Sequence, residues 1–102
     1  LLCDISPEAI SVAEKNIRLN GVGELCMCRQ GDLFEAALPF AKERASGFDI
    51  ITINPPYICT DVIHSLQPEV LREPMIALDG GADGLEFYRR IRKGGGFRAF
   101  CE

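Results

Sequence analysis

The chain is predicted to be an α/β protein, a parallel sheet with helices on its faces. Three observations predict this. Short apolar runs alternate with helical patterns along the first half of the sequence, the order that builds parallel sheets. Each run is followed by a polar residue where its strand would end, at Asp4, Asp32 and Asn54. The third run stops abruptly at Asn54-Pro55-Pro56-Tyr57, an amide, two prolines and a ring. Ligands of such sheets bind beyond the carboxyl ends of the strands, so the three polar residues are expected to converge on one rim.

The elements follow in order. Leu1, Leu2 and Cys3 read as a strand ending in Asp4. Ser6 then suits an N-cap, Pro7 the first helical position and Glu8 the positive end of the helix. Ala9, Ile10, Ala13 and Ile17 supply the apolar stripe, and Asn20-Gly21 closes the helix. Residues 25–30 read as a second strand, with Gly31-Asp32-Leu33-Phe34 as its outgoing loop. Residues 35–45 are expected to form a short helix with Pro39 near its start. Ser46-Gly47 signals a turn into a buried, isoleucine-rich strand over 48–53.

Residues 58–83 have no clear period and include Pro68, Pro74 and most of the glycine-rich Asp79-Gly80-Gly81-Ala82-Asp83-Gly84. A stretch that long without regular structure is expected to cover a site. Leu85, Tyr88 and Ile91 mark a helix, with Arg89, Arg90, Arg92 and Lys93 towards its C-terminal end, where the dipole favours cations. These cations read as a solvated helix face. Gly94-Gly95-Gly96 breaks the helix, and 97–102 reads as a further strand. There is no internal repeat and no low-complexity linker.

The composition bounds the function. A chain of 102 residues makes one small domain with a modest core. Its 47% apolar and 25% charged content is ordinary for a soluble globular protein. A net charge of −4 argues against broad binding to a phosphate backbone, which wants a basic face. No apolar run approaches the roughly 20 residues of a membrane span, and no basic-then-apolar leader is present. The cytoplasm is the expected location. Five cysteines form no disulfide framework. Cys26 and Cys28 are two apart, whereas structural zinc usually wants a Cys-x-x-Cys spacing and a second pair, so small buried thiols and no metal are expected. His64, the one histidine, lies in a polar stretch and suits a surface or capping role.

The chemistry concentrates at residues 54–57. Pro55 and Pro56 have φ fixed near about −65° and carry no N–H. Asn54, preceding a proline, is pushed towards extended geometry. The tip is therefore a stiff loop rich in carbonyl acceptors and poor in backbone donors, beside one side-chain amide and one ring. Such a place suits a planar –NH2 group: acceptors for its two hydrogens and an aromatic face for its plane. The bland alternative is a proline-rich turn that only stops a strand.

Asp4-Ile5-Ser6-Pro7-Glu8-Ala9, Gly31-Asp32-Leu33-Phe34, Asn54-Pro55-Pro56-Tyr57-Ile58 and the block from Glu73-Pro74 through Ala77-Leu78-Asp79-Gly80-Gly81-Ala82-Asp83-Gly84-Leu85 occur in that order. Together they resemble the HemK/PrmC family of release-factor glutamine methyltransferases, from residue 1 to about 92. Asn-Pro-Pro-Tyr alone is shared with DNA adenine and rRNA amino methyltransferases. The block beginning at Glu73 points to the glutamine branch. The resemblance implies a Rossmann-like (class I) fold, S-adenosylmethionine as cofactor, and methylation of the glutamine side-chain amide in the Gly-Gly-Gln loop of peptide chain release factors. It implies that Asp4 binds the cofactor's ribose hydroxyls. Asp32 would contact the adenine amino group, with Leu33 packing near that ring. Asn54 and the Pro55 carbonyl would accept the amide hydrogens, with Pro56 in the same substrate-binding tip, Tyr57 against the flat face of the amide and Asn54 also beside the cofactor.

The family places a strand and a glycine-rich loop ahead of the segment matching residues 1–4, whereas three residues precede Asp4 here. It also continues the last helix further than Arg92-Lys93-Gly94 allows. The expectation is a single partial catalytic domain over 1–102, an interior piece of the fold with open sheet edges. Two alternatives stay open: amino methylation of a nucleobase (adenine in DNA or guanine in rRNA), and a non-catalytic module that associates through its open edge.

Open edges and exposed apolar surface at Leu1, Leu2 and 50–53 predict that the isolated chain dimerises, swaps or is marginally stable. Sedimentation over a concentration series, with urea unfolding, checks this. A concentration-independent monomer with a steep transition contradicts it.

Overall fold

The computed structural model describes residues 1–43 and 48–93. They fall in two compact units, one within Leu1–Asp49 and one within Ile50–Gly95. The Ser46-Gly47 turn, the Gly94-Gly95-Gly96 break and the strand expected over 97–102 lie outside the described residues.

The first unit is built as β1 (Leu2–Asp4), α1 (Pro7–Leu19), β2 (Cys28–Gln30) and α2 (Leu38–Glu43). β1 and β2 pair in parallel, with Leu2 opposite Cys28 and Asp4 opposite Gln30. The connection between them is α1, as a parallel pair requires. Ser6 holds the extended N-cap conformation at φ −79°, ψ 122°, and its Oγ accepts the Ala9 N–H at 3.1 Å. At the other end Gly21 takes φ +65°, and the Gly21 and Val22 N–H groups donate back to the Arg18 and Ile17 carbonyls. That left-handed closure satisfies carbonyls that the helix would otherwise leave open. Ala9, Ile10, Ala13 and Ile17 are the half-buried stripe of α1, while its other face is mostly exposed.

β2 is shorter than the apolar run predicts. The chain turns at Val22, whose carbonyl accepts both the Leu25 and Cys26 N–H groups, and the ladder with β1 starts only at Cys28. α2 also begins later than residue 35. Its entry is spent on turns in which Glu35 N–H donates to the Asp32 carbonyl and Ala37 N–H to that of Phe34. Phe40 stacks on Phe48, ring centroids 5.7 Å apart. A Cβ at Gly31 would sit 2.7 Å from the Ala36 Cβ, so this turn folds back on itself only with glycine there.

Residues 48–53 differ from expectation. They form no strand, and Ile50 is 81% exposed. Apolar content alone does not make a strand. A ladder does, and among the described residues these have no ladder partner.

Residues 58–83 differ in the opposite sense, being far from structureless. They contain 3₁₀ turns at Thr60–Ser65 and Val70–Arg72, then α3 (Met75–Leu78), whose N-cap is Pro74. Such short pieces are too brief for a 3.6-residue period to be read in the sequence. A parallel bridge joins Ile58 to Asp79. Ile58 N–H donates to the Leu78 carbonyl at 3.0 Å, and the Ile58 carbonyl accepts from Gly80 N–H at 2.8 Å. Ile63 and Leu78, 2% and 5% exposed, are the buried apolar side chains of this unit. α4 (Glu86–Lys93) follows. Among the described residues no helix is long and apolar enough to cross a membrane.

Because so little apolar surface is buried, each buried side chain matters. Leu78→Ala is expected to destabilise the second unit by about 2–5 kcal/mol, whereas Ile50→Ala should stay within about 0.5 kcal/mol. Urea unfolding followed by amide signals from each unit checks both.

Candidate functional site

The site residues expected from the sequence occupy both units. In the first, parallel pairing brings Asp4 and the 31–33 loop to the same end of the sheet, beyond the carboxyl ends of β1 and β2. The Gly31 N–H donates to the Asp4 carbonyl at 3.0 Å, and Gln30 Nε2 donates to the Ile5 carbonyl at 3.2 Å. These bonds hold the two outgoing segments side by side.

Asp4 is exposed and oriented. Its Oδ1 accepts the Ser6 N–H at 2.8 Å, so the cap of α1 also fixes the carboxylate. Among the described residues its Oδ2 accepts no hydrogen bond. Glu8 supports the same turn by accepting the Ser6 hydroxyl proton at 2.8 Å. Its own backbone N–H, followed by the Ser6 hydroxyl, holds its carboxyl below the usual range. Asp32 and Leu33 are half-buried in the loop after β2. Leu33 takes φ +48°, the one non-glycine residue in the left-handed region among those described. Such a conformation costs roughly 1–3 kcal/mol and persists where the surroundings over-determine it.

The second unit carries the tip. Asn54 is exposed, Pro55 buried, Pro56 half-buried and Tyr57 59% exposed. Among the described residues, no hydrogen bond is made to the carbonyls of Asn54, Pro55 or Pro56, nor to the Asn54 side chain. The acceptors of the tip are thus open, and the amide of Asn54 faces away from the interior.

What stiffens the tip was not predicted. The glycine-rich turn over 79–84 lies directly on the Tyr57 peptide. A Cβ at Gly80 would be 2.8 Å from the Tyr57 Cα, and one at Gly84 would be 2.4 Å from its carbonyl oxygen. Gly84 also takes φ +73°. The turn is then tied to the chain beyond the tip. Thr60 N–H donates to the Gly81 carbonyl at 3.0 Å, and the Thr60 hydroxyl to Asp79 Oδ1 at 2.7 Å. Gly81 N–H donates to the same Oδ1 at 2.9 Å. The Thr60 hydroxyl and then the Gly81 N–H hold the Asp79 carboxyl below its usual value.

The turn is anchored on its other side as well. Asp83 accepts the Leu85 N–H at 3.1 Å and forms a two-pronged pair with the Arg89 guanidinium. The Arg89 hydrogen bonds hold the Asp83 carboxyl down at about 2. The Arg90 guanidinium lies over the Phe87 ring, 5.2 Å from its centroid. The basic cluster of α4 is therefore not simply a solvated face, since Arg89 fastens the turn. The sequence did carry a signal for these supports, since only close approach or left-handed backbone calls for so many glycines between two aspartates.

The free thiols Cys3, Cys26, Cys28 and Cys59 and the carboxylates do not gather into a metal cluster among the described residues. What the two assemblies offer is acceptor chemistry: a fixed carboxylate at a strand end, and a rigid loop of unbonded carbonyls next to an amide and a ring.

Comparison with known proteins finds curated relatives that are named as glutamine methyltransferases. No family model matches the chain. Curated relatives do. The release factor glutamine methyltransferase of Clostridium acetobutylicum is 46% identical over 93 residues, 89% of this chain and 31% of that protein. That of Geobacter sulfurreducens is 47% identical over 87 residues, 84% of this chain and 28% of the relative. The ribosomal protein uL3 glutamine methyltransferase of Bordetella pertussis is 42% identical over 88 residues, 86% of this chain and 28% of the relative. Over the segment that it shares with them, the chain is homologous to the release factor glutamine methyltransferases. It spans about three tenths of the length of the curated relatives it matches.

The Asp83–Arg89 pair gives a pH prediction. Asp83 has a folded pKa below its unfolded one, so its contribution to stability is present above the ordinary aspartate range. It should fade as the pH falls below that range and be gone by about 2. Thermal unfolding of the wild type and Asp83→Asn is therefore expected to differ at pH 7 and to converge in acid. A gap that persists at the lowest pH contradicts the assignment.

Proposed function

We propose that the two units are parts of one class I methyltransferase catalytic domain. The domain transfers a methyl group from S-adenosylmethionine to the side-chain amide nitrogen of a glutamine, the one in the Gly-Gly-Gln loop of a peptide chain release factor. The observation that carries the reading is the tip at 54–57: exposed at Asn54 and Tyr57, stiffened by two prolines, with open acceptors and few donors. It sits within a chain whose relatives are named as glutamine methyltransferases.

The residues present suit the nucleoside end of the cofactor. Asp4 has one oxygen held by Ser6 and the other open, as a ribose hydroxyl would need. Asp32 and the strained Leu33 follow on the same end of the sheet, for the adenine amino group and ring. By the family resemblance, Asn54 would contact the cofactor as well as the substrate. S-adenosylmethionine supplies an already activated methyl group.

What remains for the protein is placement and charge. An amide nitrogen is a weak nucleophile because its lone pair is delocalised. The Asn54 side-chain oxygen and the Pro55 carbonyl accept its two hydrogens. Those two bonds fix the nitrogen's position and direction. They also strengthen as positive charge grows on the nitrogen, because carbonyl dipoles already point at it. Pro55 and Pro56 keep those carbonyls from turning away. The Tyr57 ring covers the flat face of the amide and excludes water. The sulfonium would leave as a neutral thioether, and the methylated nitrogen, then cationic and strongly acidic, would release one of its hydrogens as a proton to solvent, so no histidine is needed as a base.

A second carrier of the glutamine is favoured by one observation. The uL3 glutamine methyltransferases match the chain about as well as the release-factor enzymes do. The acceptor chemistry is the same, and the surrounding peptide would decide between them. A nucleobase amine would also fit an acceptor tip, but the net charge of −4 does not favour nucleic acid.

Calorimetry with S-adenosylmethionine, followed by methyl transfer to a Gly-Gly-Gln peptide, a uL3 glutamine peptide and an adenine oligonucleotide, tests the reading. The peptides are expected to be methylated and the oligonucleotide not. Asn54→Ala should lower turnover on the order of 10²-fold while leaving cofactor affinity nearly unchanged. An equal loss of both overturns the assigned roles.

A further inference from the structure

Asp79 is a positioning residue for the 54–57 tip, we infer: its carboxylate closes the glycine turn over the Tyr57 peptide and so holds the acceptor carbonyls in place. The inference rests on the preceding reading for what the tip grips, but its geometry stands by itself.

One oxygen, Asp79 Oδ1, accepts both the Thr60 hydroxyl at 2.7 Å and the Gly81 N–H at 2.9 Å. Thr60 opens the 3₁₀ turn that follows the tip, and Gly81 lies on the turn that covers it. The carboxylate therefore bridges the two segments that enclose Tyr57. Around it the backbone closes the same clasp: Ile58 bridges Asp79, Thr60 N–H reaches the Gly81 carbonyl, and Glu86 N–H reaches the Gly80 carbonyl at 3.1 Å. Inside the clasp the fit leaves no slack, since Gly80 and Gly84 have room for hydrogen alone beside the Tyr57 peptide.

The tip has few other restraints. Its carbonyls accept no hydrogen bonds among the described residues, and Asn54 is exposed. Pro55 is buried and Pro56 half-buried, so packing holds their rings, but among the described residues no hydrogen bond fixes the direction of their carbonyls. The anchor is downstream, at Tyr57 and Ile58, and Asp79 locks it. Asp79 need not touch the substrate to matter, because a displacement of about 1 Å in a positioning group costs on the order of 10²-fold in rate.

The test reads backbone motion directly. Nitrogen-15 relaxation of the whole chain should give the Tyr57 and Ile58 amides order parameters of about 0.85, falling below about 0.6 in Thr60→Val and Asp79→Ala. Thr60→Ser and Asp79→Asn keep a hydroxyl donor and an acceptor oxygen in place, and should retain rigid amides. The amides of α1, in the other unit, are the control for folding. If Asp79→Ala loses those too, the near-isosteric Thr60→Val decides. Rigid Tyr57 and Ile58 amides in Thr60→Val, or mobile ones in Asp79→Asn and Thr60→Ser as well, overturn the inference.

Titration of the same samples with a Gly-Gly-Gln peptide separates the two readings. Loss of peptide binding in Thr60→Val with retention in Thr60→Ser supports both. If the wild type binds no peptide while the amides respond as expected, the glutamine reading falls and the role of Asp79 in holding the tip stands.

Discussion

The second unit depends on the closeness of the glycine turn to the Tyr57 peptide. Gly80 and Gly84 approach to distances that no Cβ would allow, and every other bond of the clasp follows from that approach. The parallel bridge at Ile58 and Asp79, the two bonds to the Asp79 carboxylate and the Asp83–Arg89 pair all lie at its margins. Among the described residues, Ile63 and Leu78 are the large aliphatic side chains of this unit that are buried, and the unit owes its local order to directional bonds more than to a core. That suits a site made of backbone acceptors. Hydrophobic packing tolerates sliding, whereas a hydrogen-bonded turn with no spare volume has one register.

In the first unit the same economy appears in another form. Ser6 does three things at once: it caps α1 through Ala9, orients Asp4 through its own N–H and engages Glu8 through its hydroxyl. The structural signal that starts a helix is therefore also what points a carboxylate outward from the sheet. β1 and β2, each only three residues long, are enough to set the direction of Asp4 and of the loop bearing Asp32 and Leu33.

Much of this was legible in the sequence, and the reasons are specific. α1 could be read because stripe, cap and closure agree over residues 6–21. The parallel pairing of β1 and β2 followed from strand–helix alternation. The shortage of backbone donors at 55 and 56 followed from the prolines themselves. The strand expected at 48–53 failed because a run of isoleucines states a preference for burial and says nothing about whether a ladder neighbour is present. The 58–83 segment was misread because 3₁₀ turns and a helix of four residues repeat too few times to show a period. The clasp was hidden for a different reason: it joins Thr60 to Asp79 and Tyr57 to Gly84, pairs whose partners are far apart in the chain. The glycines announced a tight turn, but not what it closes upon.

The proposed chemistry also explains why ionisable side chains sit where they do. An amide hydrogen held by carbonyl oxygens needs no titrating partner, so the tip can be built from Asn54, prolines and a tyrosine. Asp79 and Asp83, in the turn that covers Tyr57, are bonded to donors within the chain, and both are held below their usual pKa. They remain charged at neutral pH and fasten backbone and side-chain donors of the turn. Asp4 is arranged differently. One oxygen is used internally and the other is left open among the described residues. The Asp79 and Asp83 carboxylates each accept hydrogen bonds from two different residues and so tie segments of the scaffold together, whereas that of Asp4 accepts one, from its own turn, which under the proposed function leaves room for a ligand hydroxyl.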